Sequence, residues 1–182
     1  PASLQELMPM LRWALEVQVR HLYHGMMPFS GDETYVAGGM LPRVHVDDGS
    51  CEATMLLIES GRRMAPYEDR DGIRRGVEEA RRRFAENFLR DGRLITNNPD
   101  RRNAPGPDAK KGVCAYCYAY MDGLKPNRYG LYTCPDCAAK TEDIRSDRIY
   151  ALSCVQMMPA YIHSDLLTAG QQREIYERLA GD

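Results

Sequence analysis

Apolar residues recur along the first positions of the chain with the spacing of one helical face. Leu4, Leu7, Leu11, Leu15 and Leu22 fall near a 3.6-residue repeat, which predicts an amphipathic helix over 3–26 with this stripe facing a core. Ser3 suits the N-cap, and Glu6 completes a capping box. Pro9 marks either the first turn of the main helix or a kink; Gly25 and Pro28 stop the segment. Between 28 and 50 the period is lost. Gly, Pro and Asp are frequent there, and short extended pieces near Tyr35–Val36 and Val44–Val46 predict a loop or small hairpin.

Residues 51–64 (CEATMLLIESGRRM) read as a short helix behind Ser50, although ATMLLI has equally the pattern of a buried strand. The strongest period lies at 69–91. Ile73, Val77, Ala80, Phe84 and Phe88 form its apolar stripe, Arg74, Arg75, Arg81, Arg82 and Arg83 crowd the rest, and Gly92 ends it. Residues 92–112 carry Pro, Gly and Asn without a period and predict a basic linker or flexible loop. Further helices are expected at about 139–157, with Ile149, Leu152 and Met157 in the core and Pro159 as its stop, and at about 169–180, capped by Thr168 and Gln171.

Composition narrows the function classes. The 182 residues are 43% hydrophobic and 27% charged, as in ordinary globular proteins. A net charge of −2 excludes a wholly basic nucleic-acid binder, and basic side chains outnumber acidic ones only across 67–112. The longest strongly apolar run, Ala53–Ile58, is far short of a membrane span, and the opening residues do not form a secretory signal. An intracellular protein, in cytoplasm or nucleus, is therefore expected, and its paired cysteines point to metal rather than disulfides.

Those pairs are Cys114-Ala-Tyr-Cys117 and Cys134-Pro-Asp-Cys137, separated by sixteen residues. Two residues between cysteines allow a tight knuckle to aim both sulfurs at one point, and a tetrahedral zinc takes four thiolates at about 2.3 Å. The insert is long enough for a hairpin: Tyr118–Met121 outward, Leu124–Asn127 as the turn, Arg128–Thr133 returning. Four thiolates leave no open position for water, so a structural rather than catalytic zinc ion is expected. A redox dithiol would need only one pair, in a βαβ setting. Cys51 and Cys154 lie among apolar residues and are expected to be small buried hydrophobes.

These residues resemble treble-clef four-cysteine zinc fingers, in which a knuckle and hairpin precede a second cysteine pair at the start of a helix. Cys134-Pro-Asp-Cys137 runs directly into Ala138-Ala139-Lys140, as that layout requires. Tyr129-Gly130-Leu131-Tyr132-Thr133-Cys134 looks like the stretch before the second pair in nuclear-receptor fingers, and the spacing is similar to GATA-type and DksA/TraR-type fingers. The resemblance spans about thirty residues. It implies one structural zinc on Cys114, Cys117, Cys134 and Cys137, and carries over no other residue. The only Trp is Trp13, not a Trp after the first knuckle, and Glu142 and Asp143 stand where a GATA-type finger has a basic tail.

The fold class expected is mainly α with a small β-hairpin zinc module, treble-clef or ribbon-like, and α+β overall. Three parts are expected: a helical domain at 1–91, a linker at 92–112, and a zinc finger with C-terminal helices at 113–182. The function expected is a non-enzymatic regulatory or adaptor role, acting on nucleic acid or the transcription and replication machinery through protein contacts. A direct single- or double-stranded nucleic-acid binder is the alternative, using Arg101, Arg102, Lys110, Lys111, Lys125 and Arg128 on phosphates and Tyr118 and Tyr120, with Tyr116, on bases. A structural subunit of an assembly, viral or phage assemblies among them, is the third reading. An enzyme is disfavoured. His21 and His24 stand i,i+3 and His45 lies near Asp47-Asp48, which read first as a turn and helix cap, and no Gly-rich phosphate loop, Ser nucleophile elbow or His-Glu-x-x-His occurs.

Overall fold

A computed structural model of the chain describes residues 3–28, 48–67, 70–104, 110–126, 132–140, 149–162 and 165–181. The extended pieces expected near Tyr35–Val36 and Val44–Val46, together with His45, His163 and Arg128, lie outside the described residues.

Helix α1 spans Leu4–Arg20, and its capping box forms: Ser3 N donates to Glu6 Oε2 at 2.6 Å and Glu6 N donates to Ser3 Oγ at 3.4 Å. Pro9 lies inside the helix. The helix ends six residues before the expected limit of 26. Tyr23 and Met26 instead exchange two main-chain hydrogen bonds around His24 and Gly25, both at positive φ. A Cβ on Gly25 would stand 3.1 Å from the Ala80 Cα, so the turn brings bare backbone against a neighbouring helix. Leu4 and Leu7, expected in the core, are exposed; of the stripe within the helix only Leu15 is buried.

Helix α2 spans Cys51–Met64, which settles the helix-or-strand ambiguity. Ser50 Oγ accepts from Ala53 N at 3.1 Å and starts the helix. Helix α3 spans Asp71–Phe88. Ile73, Ala80, Phe84 and Phe88 are buried as its period requires, and Val77 is half-buried. The three helices cross closely at glycines: a Cβ on Gly61 would meet a Val77 methyl at 2.6 Å, and one on Gly76 a Val19 methyl at 2.4 Å.

Residues 92–104 are not a linker. Helix α3 stops at Phe88, and Asp91-Gly92, at φ 48° and 70°, joins strand β3 (Leu89–Arg90) to strand β4 (Arg93–Leu94). This Asp-Gly pair is a primed-hairpin signal that the glycine's reading as a helix stop conceals. Leu94 through Asn98 are all buried. Strand β5 (Asn97–Asn98) pairs antiparallel with β2 (Gly49–Ser50), and β2 with β1 (Met27–Pro28). The segment lacks periodicity because specific partners, rather than an alternating face, satisfy it. Gln156 clamps Leu94, accepting its N–H at 2.6 Å and donating to its carbonyl at 2.5 Å. Thr96 N donates to Tyr150 O at 2.6 Å, and Leu152 N donates to Thr96 Oγ1 at 3.0 Å.

The helix expected at about 139–157 is not continuous, because residues 149–152 are not helical. Helix α4 is the short Pro135–Lys140, and helix α5 spans Ser153–Tyr161 with Pro159 inside it and buried. Val155 and Gln156 are the residues that α5 turns inward, whereas Ile149, Met157 and Cys154, all expected inside, are exposed. Cys51 is fully buried as expected. Helix α6 spans Ala169–Gly181, and Thr168 and Gln171 form its cap: Thr168 N donates to Gln171 Oε1 at 2.8 Å and Gln171 N to Thr168 Oγ1 at 3.3 Å. Val155, Leu167 and Ile175 join Met26, Met55, Phe84, Phe88 and Leu94 in one apolar cluster. The last two helices thus pack with residues 1–91, not apart from them as the expected three-part division had it.

Candidate metal centre

Among the described residues, the module at 110–140 is built from three strands and a short helix. Strand β6 (Lys110–Val113) pairs antiparallel with β7 (Tyr120–Pro126), and β7 with β8 (Tyr132–Thr133), immediately before α4. Two expectations shift. The first strand comes from residues read as linker, and β7 runs through Leu124–Pro126, read as the hairpin turn. The knuckle explains both: Cys114–Cys117 is itself the turn between β6 and β7. Cys114 N donates to Ala119 O at 2.9 Å and Tyr118 N to Cys114 O at 3.0 Å. Tyr118 leaves the knuckle at φ 61°, so it is a turn residue and not the outward strand expected.

This arrangement brings the two cysteine pairs together. The sulfurs of Cys114, Cys117, Cys134 and Cys137 all lie within 4.8 Å of one another, and Cys117 Sγ is 3.8 Å from Cys134 Sγ. A tetrahedron with bonds of about 2.3 Å has edges of about 3.8 Å, so this separation fits four thiolates around one ion. All six cysteines are free thiols. Cys134 N points at Cys114 Sγ and Cys137 N at Cys134 Sγ, each at 3.4 Å. Leu124, Met121 and Tyr132 pack against the sulfurs and give the site an apolar wall.

The thiols differ in acidity. Main-chain N–H groups of Cys117 and then Cys134 hold the Cys114 thiol down to about 6. Hydrogen bonding to Cys134 and burial push Cys137 up to about 12. Four thiolates this close repel one another, and a divalent cation supplies the charge that allows all four to ionise. The donor set and spacing therefore fit a metal ion held without an open coordination position.

The candidate nucleic-acid contacts scatter. Arg101 is buried, and its guanidinium donates to Met26 O at 3.1 Å and His21 O at 2.7 Å. Arg102 forms an ion pair with the fully buried Asp48. Arg101 is thus turned into the fold, and Arg102 is tied to it through Asp48. Lys110 lies on β6, and its side chain is outside the described residues. Lys111 is exposed, 3.6 Å from Asp122 and 5.9 Å from the centre of the Tyr120 ring. Lys125 is exposed on β7. Tyr118 and Tyr120 are 78% and 68% exposed, which leaves their rings free to be covered by a partner. Among the described residues His21 and His24 join no cluster of metal-ligating groups: His21 Nδ1 lies 2.7 Å from Val17 O, and the main-chain carbonyl of His24 accepts from Asn87 Nδ2.

Sequence reasoning missed the buried carboxylates Asp48, Glu52 and Glu59. Only the Arg62–Arg63 pair, three and four places after Glu59, signalled one of them. Among the described residues, no helix is long and apolar enough to cross a membrane. Comparisons with protein-family models, curated proteins and solved structures give no match.

Proposed function

We propose that residues 110–140 form a treble-clef finger around one structural zinc ion, and that the protein is an intracellular, non-enzymatic regulator or adaptor. It would act on the machinery of transcription or replication through protein contacts. The carrying observation is the convergence of four sulfurs at tetrahedral spacing, with Cys134 and Cys137 bracketing the first turn of α4. A closed thiolate set supplies rigidity rather than chemistry. Around it Val113, Tyr116, Tyr118 and Tyr120 stand exposed, a concentration of apolar and aromatic surface suited to contact with another protein. The charge balance favours the same reading. Arg101 is buried and bonded to main-chain carbonyls, Arg102 is paired with Asp48, and Lys111 is paired with Asp122.

A second reading rests on Tyr118, Tyr120, Lys111 and Lys125. Two exposed rings, one of them with Lys111 over it, and an exposed Lys125 on the same module are the elements of a platform for unpaired bases. Elemental analysis of the purified chain should give one zinc per molecule; a stoichiometric absence of metal would remove the finger. Titration with single- and double-stranded oligonucleotides over a salt series separates the two readings. No binding at low salt supports protein contact. A steep salt slope that flattens in a Lys111→Ala/Lys125→Ala variant replaces it with the nucleic-acid reading.

A further inference from the structure

Helix α1 carries more apolar surface than the molecule covers. Leu4, Leu7, Met10 and Trp13 are exposed, the tryptophan at 65%. Trp13 is the only tryptophan in the chain. At about 100° per residue, Met10 and Trp13 stand about 60° apart on the outward face of α1, whereas Leu4 stands opposite Trp13. Exposed apolar side chains at Met10 and Trp13 mark this outward face as an interaction site, and tryptophan and methionine are characteristic of interface centres.

We propose that the outward face of α1 pairs, antiparallel, with α1 of a second copy of this chain. The argument is the self-complementary order of residues along that face. Glu6, Trp13 and Arg20 follow one another at seven-residue intervals and so lie along one line of the helix, each about two turns from the next. A two-fold axis at Trp13 stacks the two tryptophans. It places Glu6 of each copy opposite Arg20 of the other. Met10 and Val17 flank the same line on one side, and the axis sets Met10 beside Val17 of the second copy. A parallel arrangement would oppose Glu6 to Glu6, and the antiparallel one also opposes the helix dipoles favourably.

Both charged groups are available for this pairing. Glu6 uses Oε2 in its capping box, while Arg20 is 71% exposed along its side chain and pairs with Glu16. Glu16 is also held by Arg70 at 2.6 Å, so Arg20 can turn part of its five-donor fork to another carboxylate. This inference is independent of the metal-centre reading, because α1 and the finger share no residue.

Sedimentation of the zinc-loaded full chain across a concentration series tests it. A reversible monomer–dimer equilibrium is expected, with the emission of Trp13 shifting to the blue as the dimer forms. Trp13→Glu, at an exposed position, should retain helicity and weaken the dimer by at least about tenfold. Glu6→Arg and Arg20→Glu should each weaken it, and the double exchange should restore it, which mere loss of the helix cap cannot do. A monomer at all concentrations, a dimer unaffected by Trp13→Glu, or a double exchange no better than the singles would overturn the pairing.

Discussion

Glu52 and Glu59 lie seven residues apart on α2, both buried, and the fold pushes their carboxyls in opposite directions. Arg62 donates to Glu59 at 2.8 and 2.7 Å and Arg63 at 2.7 Å, whereas Glu52 Oε2 is buried without a partner. One helix thus holds a carboxylate that wants to be charged and a carboxyl that does not.

For Glu59, Arg62 first and Arg63 after it bring the carboxyl from 4.5 to about 2, against the opposing effect of burial. A depressed folded value means that its stabilisation is present above the unfolded value and is lost as pH falls from about 4.5 toward 2. Glu59→Gln is expected to cost about 1–2 kcal/mol near neutral pH, because solvent screens the two arginines. Urea unfolding at several pH values checks this: the difference between wild type and variant should close in acid.

For Glu52 the sign reverses. Burial raises its carboxyl, so the ionised form weakens the fold and stability declines as pH rises through the raised value. Glu52→Gln should stabilise the protein at neutral pH by on the order of 1 kcal/mol, with the gain shrinking in acid. A variant less stable than wild type at neutral pH would contradict the assignment.

Asp48 is fully buried and accepts from Arg102, at 3.2 Å for Nη2, and from Asn97 Nδ2 at 2.9 Å. Asp48→Ala removes a fully buried carboxylate from these two bonds and should cost about 3–5 kcal/mol, the range for breaking a buried pair from one side. Denaturant midpoints measure it. Arg102→Ala is expected to lower stability without changing the salt dependence of any oligonucleotide binding.

Cys114→Ser removes one ligand and should release the metal. Hydrogen exchange then becomes the readout, since the finger and the helical core have separate supports. The amides of Cys114 and Tyr118, bonded within the knuckle, should lose protection. Those of Phe84 and Phe88, at the centre of the main cluster, should keep it.

What could be seen in the sequence was what neighbours in the chain decide. Ser3 with Glu6, and Thr168 with Gln171, announce their helix starts over three residues. The stripe from Ile73 to Phe88 announces a buried face, and the cysteine spacing announces a convergent thiolate set. What stayed hidden depended on distant partners. Leu94–Asn98 looked like linker because its burial rests on Gln156, Tyr150 and Gly49, each supplied from elsewhere in the chain. Arg101 looked like a phosphate ligand because the carbonyls that claim it, His21 and Met26, are about eighty residues upstream. The first strand of the finger was lost for a similar reason: Lys110–Val113 acquires its extended form only by pairing with β7.

The apolar cluster that unites Met26, Phe84, Leu94 and Ile175 has a consequence for how the protein is made. On a ribosome, the early helices emerge with Met55 and Phe88 still facing solvent and must wait for residues beyond 150 to seal them. Such long-range closure slows folding, and during the wait the nascent chain is open to capture by chaperones and to aggregation.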